Sequence, residues 1–140
     1  RFHFINMLDA ANIEKYVNSN TKLIWVETPT NPTMQIIDIA ACAAIAKKHG
    51  ILLTVDNTFA SPYLQNPLEL GADIVMHSVT KYLGGHSDVV AGVVAGSAEL
   101  IGTINRIVLP YLGAKLSPFE GVPEARVKLT PSTARTRPRG

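Results

Sequence analysis

The sequence lacks the features that mark several large classes of protein. It has one cysteine, Cys42, in 140 residues, which excludes an internal disulfide and suits a reducing compartment. No apolar run approaches the ~20 residues of a membrane span, and no signal-peptide pattern opens the chain. The expected setting is therefore cytoplasmic, without a membrane partner. Metal ligands are sparse as well. His77, His86 and Asp88 could be grouped, but they have no recognised metal-ligand spacing, so no metal site is expected.

The excess of positive charge is local. Of the six arginines, Arg126, Arg135, Arg137 and Arg139 fall in the last fifteen residues, beside Lys128 and opposed by Glu124 alone. Residues 1–121 hold eight basic side chains against ten acidic ones, a net −2, although the whole chain is +2. The pI thus gives no ground for expecting a nucleic-acid partner.

What the sequence does have is apolar content in short, regular blocks. Hydrophobic residues make up 46% and charged residues 17%, a balance that suits a well-buried α/β body. A helix is expected over Asp9 to Val17 with Asp9 as its cap, and a strand over Lys22 to Glu27. Ile36 to His49 carries Ile37, Ala41, Ala44, Ile45 and Lys48 at helical spacing and stops at Gly50. Cys42 falls on that helix as a small buried hydrophobe. Ile51 to Val55 has no polar alternation and reads as a strand buried on both faces. Pro62 and Pro67 punctuate a loop, Pro67 to Leu70 forms a helical turn closed by Gly71, and strands follow over Asp73 to Ser78 and Val89 to Ala95. Ser97 opens a helix to about Leu109. Alternating strands and helices with short crossovers imply a parallel, doubly wound sheet. Trp25, Tyr63, Tyr82 and Tyr111 are expected to pack, and His77 to sit in the core or on a cleft wall.

Three apolar runs end in polar clusters. Asn31 follows Leu23-Ile24-Trp25-Val26, Asp56 closes Ile51 to Val55, and Ser78-Val79-Thr80-Lys81 follows Ile74-Val75-Met76-His77. A lysine after a strand ordinarily marks the return of the chain to water. An ammonium at the end of a buried strand is costly, however, and that cost is a usual route to a nucleophilic amine. Parallel sheets bind ligands beyond the carboxyl ends of their strands, so these clusters share one edge if the strands are parallel. A carboxylate and a reactive lysine on such an edge fit pyridoxal phosphate, which needs a Schiff-base lysine and an acidic partner for its pyridine nitrogen. Ser78 and Thr80 offer hydroxyls to a phosphate. One condition attaches. Strict strand alternation would turn Lys81 away from Ser78 and Thr80, so the strand must end near His77 or Ser78.

Longer motifs surround these residues. Glu27-Thr28-Pro29-Thr30-Asn31-Pro32, Val55-Asp56-Asn57-Thr58-Phe59, Gly71-Ala72-Asp73-Ile74-Val75, Ser78-Val79-Thr80-Lys81-Tyr82 and Gly85-His86-Ser87-Asp88 resemble the signature of the Cys/Met-metabolism, or trans-sulfuration, family of pyridoxal-phosphate enzymes. The resemblance covers about residues 3 to 120. It implies the central part of the large domain of a fold-type I, aspartate aminotransferase-like transferase, with a mostly parallel sheet and flanking helices. By it, Lys81 forms the Schiff base, Asp56 pairs with the pyridinium nitrogen and Asn31 touches the ring hydroxyl. Ser78 and Thr80 would hold the phosphate, and Thr58 would lie near the ring. It further implies γ-elimination or γ-replacement on a small amino-acid substrate of the cystathionine or homoserine-ester type, in a homotetramer built from dimers with shared active sites. Gly85-His86-Ser87-Asp88 tilts the resemblance toward the cystathionine enzymes, γ-lyase or γ-synthase, with methionine γ-lyase and cystathionine β-lyase as alternatives.

The sequence also departs from that family. The upstream phosphate loop, the ring-stacking tyrosine and the carboxy-terminal arginine that binds the substrate carboxylate have no counterparts here, so a remnant with no activity of its own stays open. Two segments are expected: 1–120 as part of the cofactor-binding domain, and 121–140 as a basic tail. The family continues after Glu120 with an apolar helix and an Arg-Gly-Leu-Lys-Thr-Leu motif, whereas Gly121 to Gly140 is rich in arginine, proline and threonine without helical periodicity. Out-of-frame translation from near Gly121 accounts for this, and a partner-binding tail is the rival. Reading the coding DNA in its other two frames tests the idea, which fails if neither encodes the missing motif.

Overall fold

A computed structural model of the chain describes residues 2–112. The expectations for the segment 121–140 lie outside the described residues. Four strands, β1 (Leu23–Glu27), β2 (Leu52–Asp56), β3 (Ile74–Ser78) and β4 (Gly92–Gly96), form one sheet in the order β1-β2-β3-β4. Helices α1 (Ile39–His49), α2 (Ser61–Leu64) and α3 (Ala98–Leu112) accompany them. No helix among the described residues is long and apolar enough to cross a membrane.

The sheet is parallel from β1 to β3, with Glu27 opposite Asp56 and Asp56 opposite Met76. β4 is the one antiparallel member of this mostly parallel sheet. It pairs antiparallel with β3, Ser78 opposite Gly92, because the connection 79–91 contains no crossover helix to carry the chain back to the other edge. Nor does the strand order reverse, so the described strands contain no doubly wound switch point.

Local signals explain α1 well. Asp38 caps it by accepting from the Ala41 N–H at 2.9 Å, so the helix starts at Ile39 rather than Ile36. Ile37 and Cys42, both buried, occupy the flanking positions of a hydrophobic staple. Gly50 ends the helix at φ 63°, a left-handed conformation that favours glycine. The first expected helix is instead a 3₁₀ turn over Ala10–Lys15, with Asp9 accepting from the Ala11 N–H. Ile13 anchors it in the core. Glu14, on the same turn, reaches Lys48 at 2.8 Å and His49 at 2.6 Å, tying the turn to the end of α1. These two partners hold the Glu14 carboxyl below its ordinary range.

The core lies on one face of the sheet. Ile24, Val26, Leu53 and Val55 pack with Ile39, Cys42, Ala43 and Ala46 of α1. Burial pushes the Cys42 thiol up to about 11, which suits its expected role as a packing residue. The two-sided burial expected of Ile51 to Val55 holds at Leu53, Thr54 and Val55, whereas the second face is open at Leu52 and along β1. Trp25 is 50% exposed, and Leu23 and Leu52 are also exposed. Together with Phe4, Met7 and Tyr16 from the amino-terminal segment, Leu23, Trp25, Glu27 and Asp56 line a cavity of about 1130 Å³ on that second face. Tyr63 and Tyr111 are exposed too, against expectation. Tyr82 is 63% exposed, although it meets Phe59 edge-on at 6.4 Å.

Candidate active site

Because β1, β2 and β3 run parallel, Asn31, Asp56 and Lys81 all follow carboxyl ends of strands on one edge of the sheet. The geometric condition on Lys81 is met. β3 ends at Ser78, and residues 79–83 form a single π-type turn in which Lys81 has non-helical φ and ψ. Side chains in that turn are released from the strand's strict alternation.

Asp56 is held on the edge by Thr58. Its Oδ1 accepts from the Thr58 N–H at 3.0 Å and from the Thr58 hydroxyl at 2.5 Å. The Thr58 oxygen in turn accepts from the Ser78 N–H at 2.8 Å. A hydroxyl has one proton, so the Ser78 N–H pointing into Oγ1 commits that proton to Asp56. Thr58, itself buried, therefore links the end of β2 to the end of β3 and sets the orientation of the carboxylate.

The remaining expected residues are less confined. Asn31 is exposed, and its N–H points to Glu27 Oε2 at 3.3 Å. Lys81 is exposed as well, so the burial cost anticipated for its ammonium is absent in this chain. The Thr80 hydroxyl is engaged with the next loop, accepting from the Ala91 N–H at 3.0 Å and donating to the Ala91 carbonyl at 3.4 Å. Ser78 is half-buried. The cavity on the second face reaches this edge at Glu27 and Asp56 but not at Lys81, Ser78 or Thr80. His86 bonds the Gly84 carbonyl through Nδ1 at 2.8 Å, which stiffens the loop after the π turn.

Beneath the edge lies a set of buried polar groups. Thr28 is 1% exposed and Asn57 is fully buried. Gln65, which had no assigned part in the sequence reading, bonds both: Nε2 donates to Asn57 Oδ1 at 2.7 Å and to the Thr28 carbonyl at 3.1 Å. Its only sequence signal is a polar residue between Leu64 and Asn66-Pro67, which looks like any loop residue. His77 is buried on the core face, as expected, and its Nδ1 has no hydrogen-bond partner among the described residues. Desolvation lowers its pKa, opposed by the Asp56 charge and the Asn57 backbone.

An α/β sheet whose carboxyl edge gathers a lysine, a carboxylate and hydroxyls is the class of architecture that serves a phosphate-bearing aldehyde cofactor. The family model described as "Cys/Met metabolism PLP-dependent enzyme" matches residues 1–126, and the chain belongs to that family. It is 50% identical over 121 residues to human cystathionine gamma-lyase, covering 86% of this chain and 30% of that protein. A probable cystathionine gamma-synthase from Herpetosiphon aurantiacus is 48% identical over 119 residues, covering 85% of this chain and 37% of the relative. Among solved structures, cystathionine gamma-lyase from Lactobacillus plantarum complexed with L-serine superposes with a TM-score of 0.83 at 45% identity, covering 89% of this chain and 33% of that one. The chain thus spans about a third of the length of these relatives.

Two measurements follow from the geometry. Thr58→Val leaves the Ser78 N–H and Asp56 Oδ1 without a shared partner and should cost about 1–3 kcal/mol in urea denaturation, whereas Thr58→Ser should keep most of it. Equal stability of the valine variant and the parent would refute the bridging role. For His77 the sign is set by its lowered folded value. The unfolded chain binds the proton more readily, so the His77 contribution is complete above about pH 6.5 and is lost as pH falls below it. His77→Leu should therefore flatten the decline in unfolding free energy between about pH 7 and about pH 5, and an unchanged slope would count against it.

Proposed function

We propose that this chain is the cofactor-lysine segment of a trans-sulfuration enzyme catalysing γ-elimination or γ-replacement on a small sulfur amino acid or homoserine ester. The observation that carries the reading is Asp56 at the end of β2 and Lys81 three residues past the end of the adjacent parallel β3, with Thr58 bridging Asp56 to Ser78. Pyridoxal phosphate, when bound, supplies the electron sink that withdraws charge from the substrate's α carbon.

The donors present fit that cofactor. Asp56 has one oxygen held by Thr58, and its Oδ2 accepts no hydrogen bond among the described residues, which suits a partner for a protonated pyridine nitrogen. Ser78 would supply a hydroxyl to the phosphate, Thr80 would do so on giving up its 3.4 Å bond to the Ala91 carbonyl, Asn31 would supply an amide to the ring hydroxyl, and Thr58 would act through Asp56. Lys81 would hold the cofactor through its amine, and the same amine would move protons between the substrate's α and β carbons so that the γ substituent can leave. The names of the relatives favour cystathionine as substrate. Methionine γ-lyase and cystathionine β-lyase chemistry differ in the leaving group and its position, and both use the same lysine.

The exposure of Lys81 and of Trp25 favours a second statement about the 140-residue chain alone. By itself it is incompetent in catalysis, and the remaining polypeptide of a cytoplasmic homotetramer, with active sites shared between subunits, covers these groups. A soluble, yellow oligomer of the isolated chain with lyase activity would defeat that statement.

The test of the main reading is chemical. Borohydride reduction of the full-length protein loaded with pyridoxal phosphate should fix the cofactor on the peptide containing Lys81. Lys81→Ala should lose both the label and the visible absorbance. Label on another lysine, or full turnover by the alanine variant, would overturn the assignment.

A further inference from the structure

Gln65 sits just past α2, exposed in part, yet both its side chain and its main chain are bound to one buried residue. Asn57 Nδ2 donates to the Gln65 carbonyl at 2.9 Å while Gln65 Nε2 donates to Asn57 Oδ1 at 2.7 Å. The second Nε2 proton goes to the Thr28 carbonyl at 3.1 Å. Both protons of the amide are then used, and a flipped amide would set its oxygen against two acceptors.

The groups so joined are the exits of two strands, β1 and β2, and the second of them is bonded to β3. Thr28 directly follows β1, and its hydroxyl accepts from the Ile37 N–H at 3.0 Å, closing the loop that carries Asn31. Asn57 directly follows Asp56 and donates its N–H to the Met76 carbonyl of β3 at 2.9 Å. The direct backbone link between the two exits is weak, the Thr28 N–H lying 3.4 Å from the Asp56 carbonyl. Since Thr28 and Asn57 are buried, water has little access to replace the Gln65 amide.

We propose that Gln65 is a positioning residue that holds the Thr28–Asn31 segment against Asp56, so that Asn31 and Asp56 address one cofactor together. This rests on the proposed function for its consequence, but the clamp itself has a readout that needs no cofactor.

The experiment compares the full-length protein with Gln65→Met, which removes both donors at similar length. Gln65→Glu serves as a second variant of the same shape, without a donor when ionised. Amide hydrogen exchange should be at least about fivefold faster at Thr28 and Ile37, as expected for losing a buried hydrogen bond, while Leu53 and Val55 in β2 keep their protection. Titration of the apoprotein with pyridoxal phosphate should show affinity weakened by about 5- to 100-fold. Combined with Asn31→Ala, the loss should fall short of the product of the single losses, because the two act in series. Unchanged exchange at Thr28 and Ile37 in both variants overturns the clamp. Faster exchange with unchanged affinity, or losses that multiply fully, overturns its bearing on the cofactor. Absence of borohydride label on Lys81 in the parent protein fails the functional reading instead, and the exchange data still judge the clamp.

Discussion

The parallel pairing of β1, β2 and β3 is the constraint on which the rest depends. It sets Glu27, Asp56 and Met76 side by side, so that whatever follows each strand emerges on one edge. A sheet edge of this kind has backbone groups that the ladder no longer satisfies and must find other partners. Here they find side chains: the Ser78 N–H bonds Thr58, the Thr58 N–H bonds Asp56, and the Thr28 carbonyl is met by Gln65. The same hydrogen bonds that complete the sheet also orient the chemistry.

This coupling gives the edge two layers. Asn57, Gln65 and Thr28 form a buried polar layer that fixes the strand exits relative to each other, and burial makes each unmade bond costly. Above it lie Asn31, Asp56, Ser78, Thr80 and Lys81, the residues proposed to meet the cofactor. Asp56 is held twice through Thr58, whereas Lys81, whose proposed work requires it to leave and return, sits exposed in a π turn.

Much of this was legible in the residues. Helical spacing from Ile36 and the stop at Gly50 give the limits of α1 to within three residues, and Cys42 on that helix is buried as its small apolar side chain implies. The polar clusters at the ends of apolar runs mark Lys81, Asp56 and Asn31 in the sequence itself. Other features were illegible for physical reasons. The direction of β4 depends on the absence of a crossover, not on the content of Val93 and Val94. The exposure of Trp25 depends on what covers the second face, which a strand's own residues do not encode. Gln65 looked like a loop residue because its importance lies in partners eight and 37 positions away.

The sequence alone thus determined the element types, the family resemblance and the chemical kinds of residue at the strand ends, because periodicity, capping and motif spacing are local properties. Only the tertiary structure decided that three strand ends share an edge through Thr58 and Gln65, that Thr80 spends its hydroxyl on Ala91, and that Lys81 is exposed. Those outcomes turn on contacts between residues distant in the chain, and hydrogen-bond partners of that sort are chosen by packing rather than by neighbours.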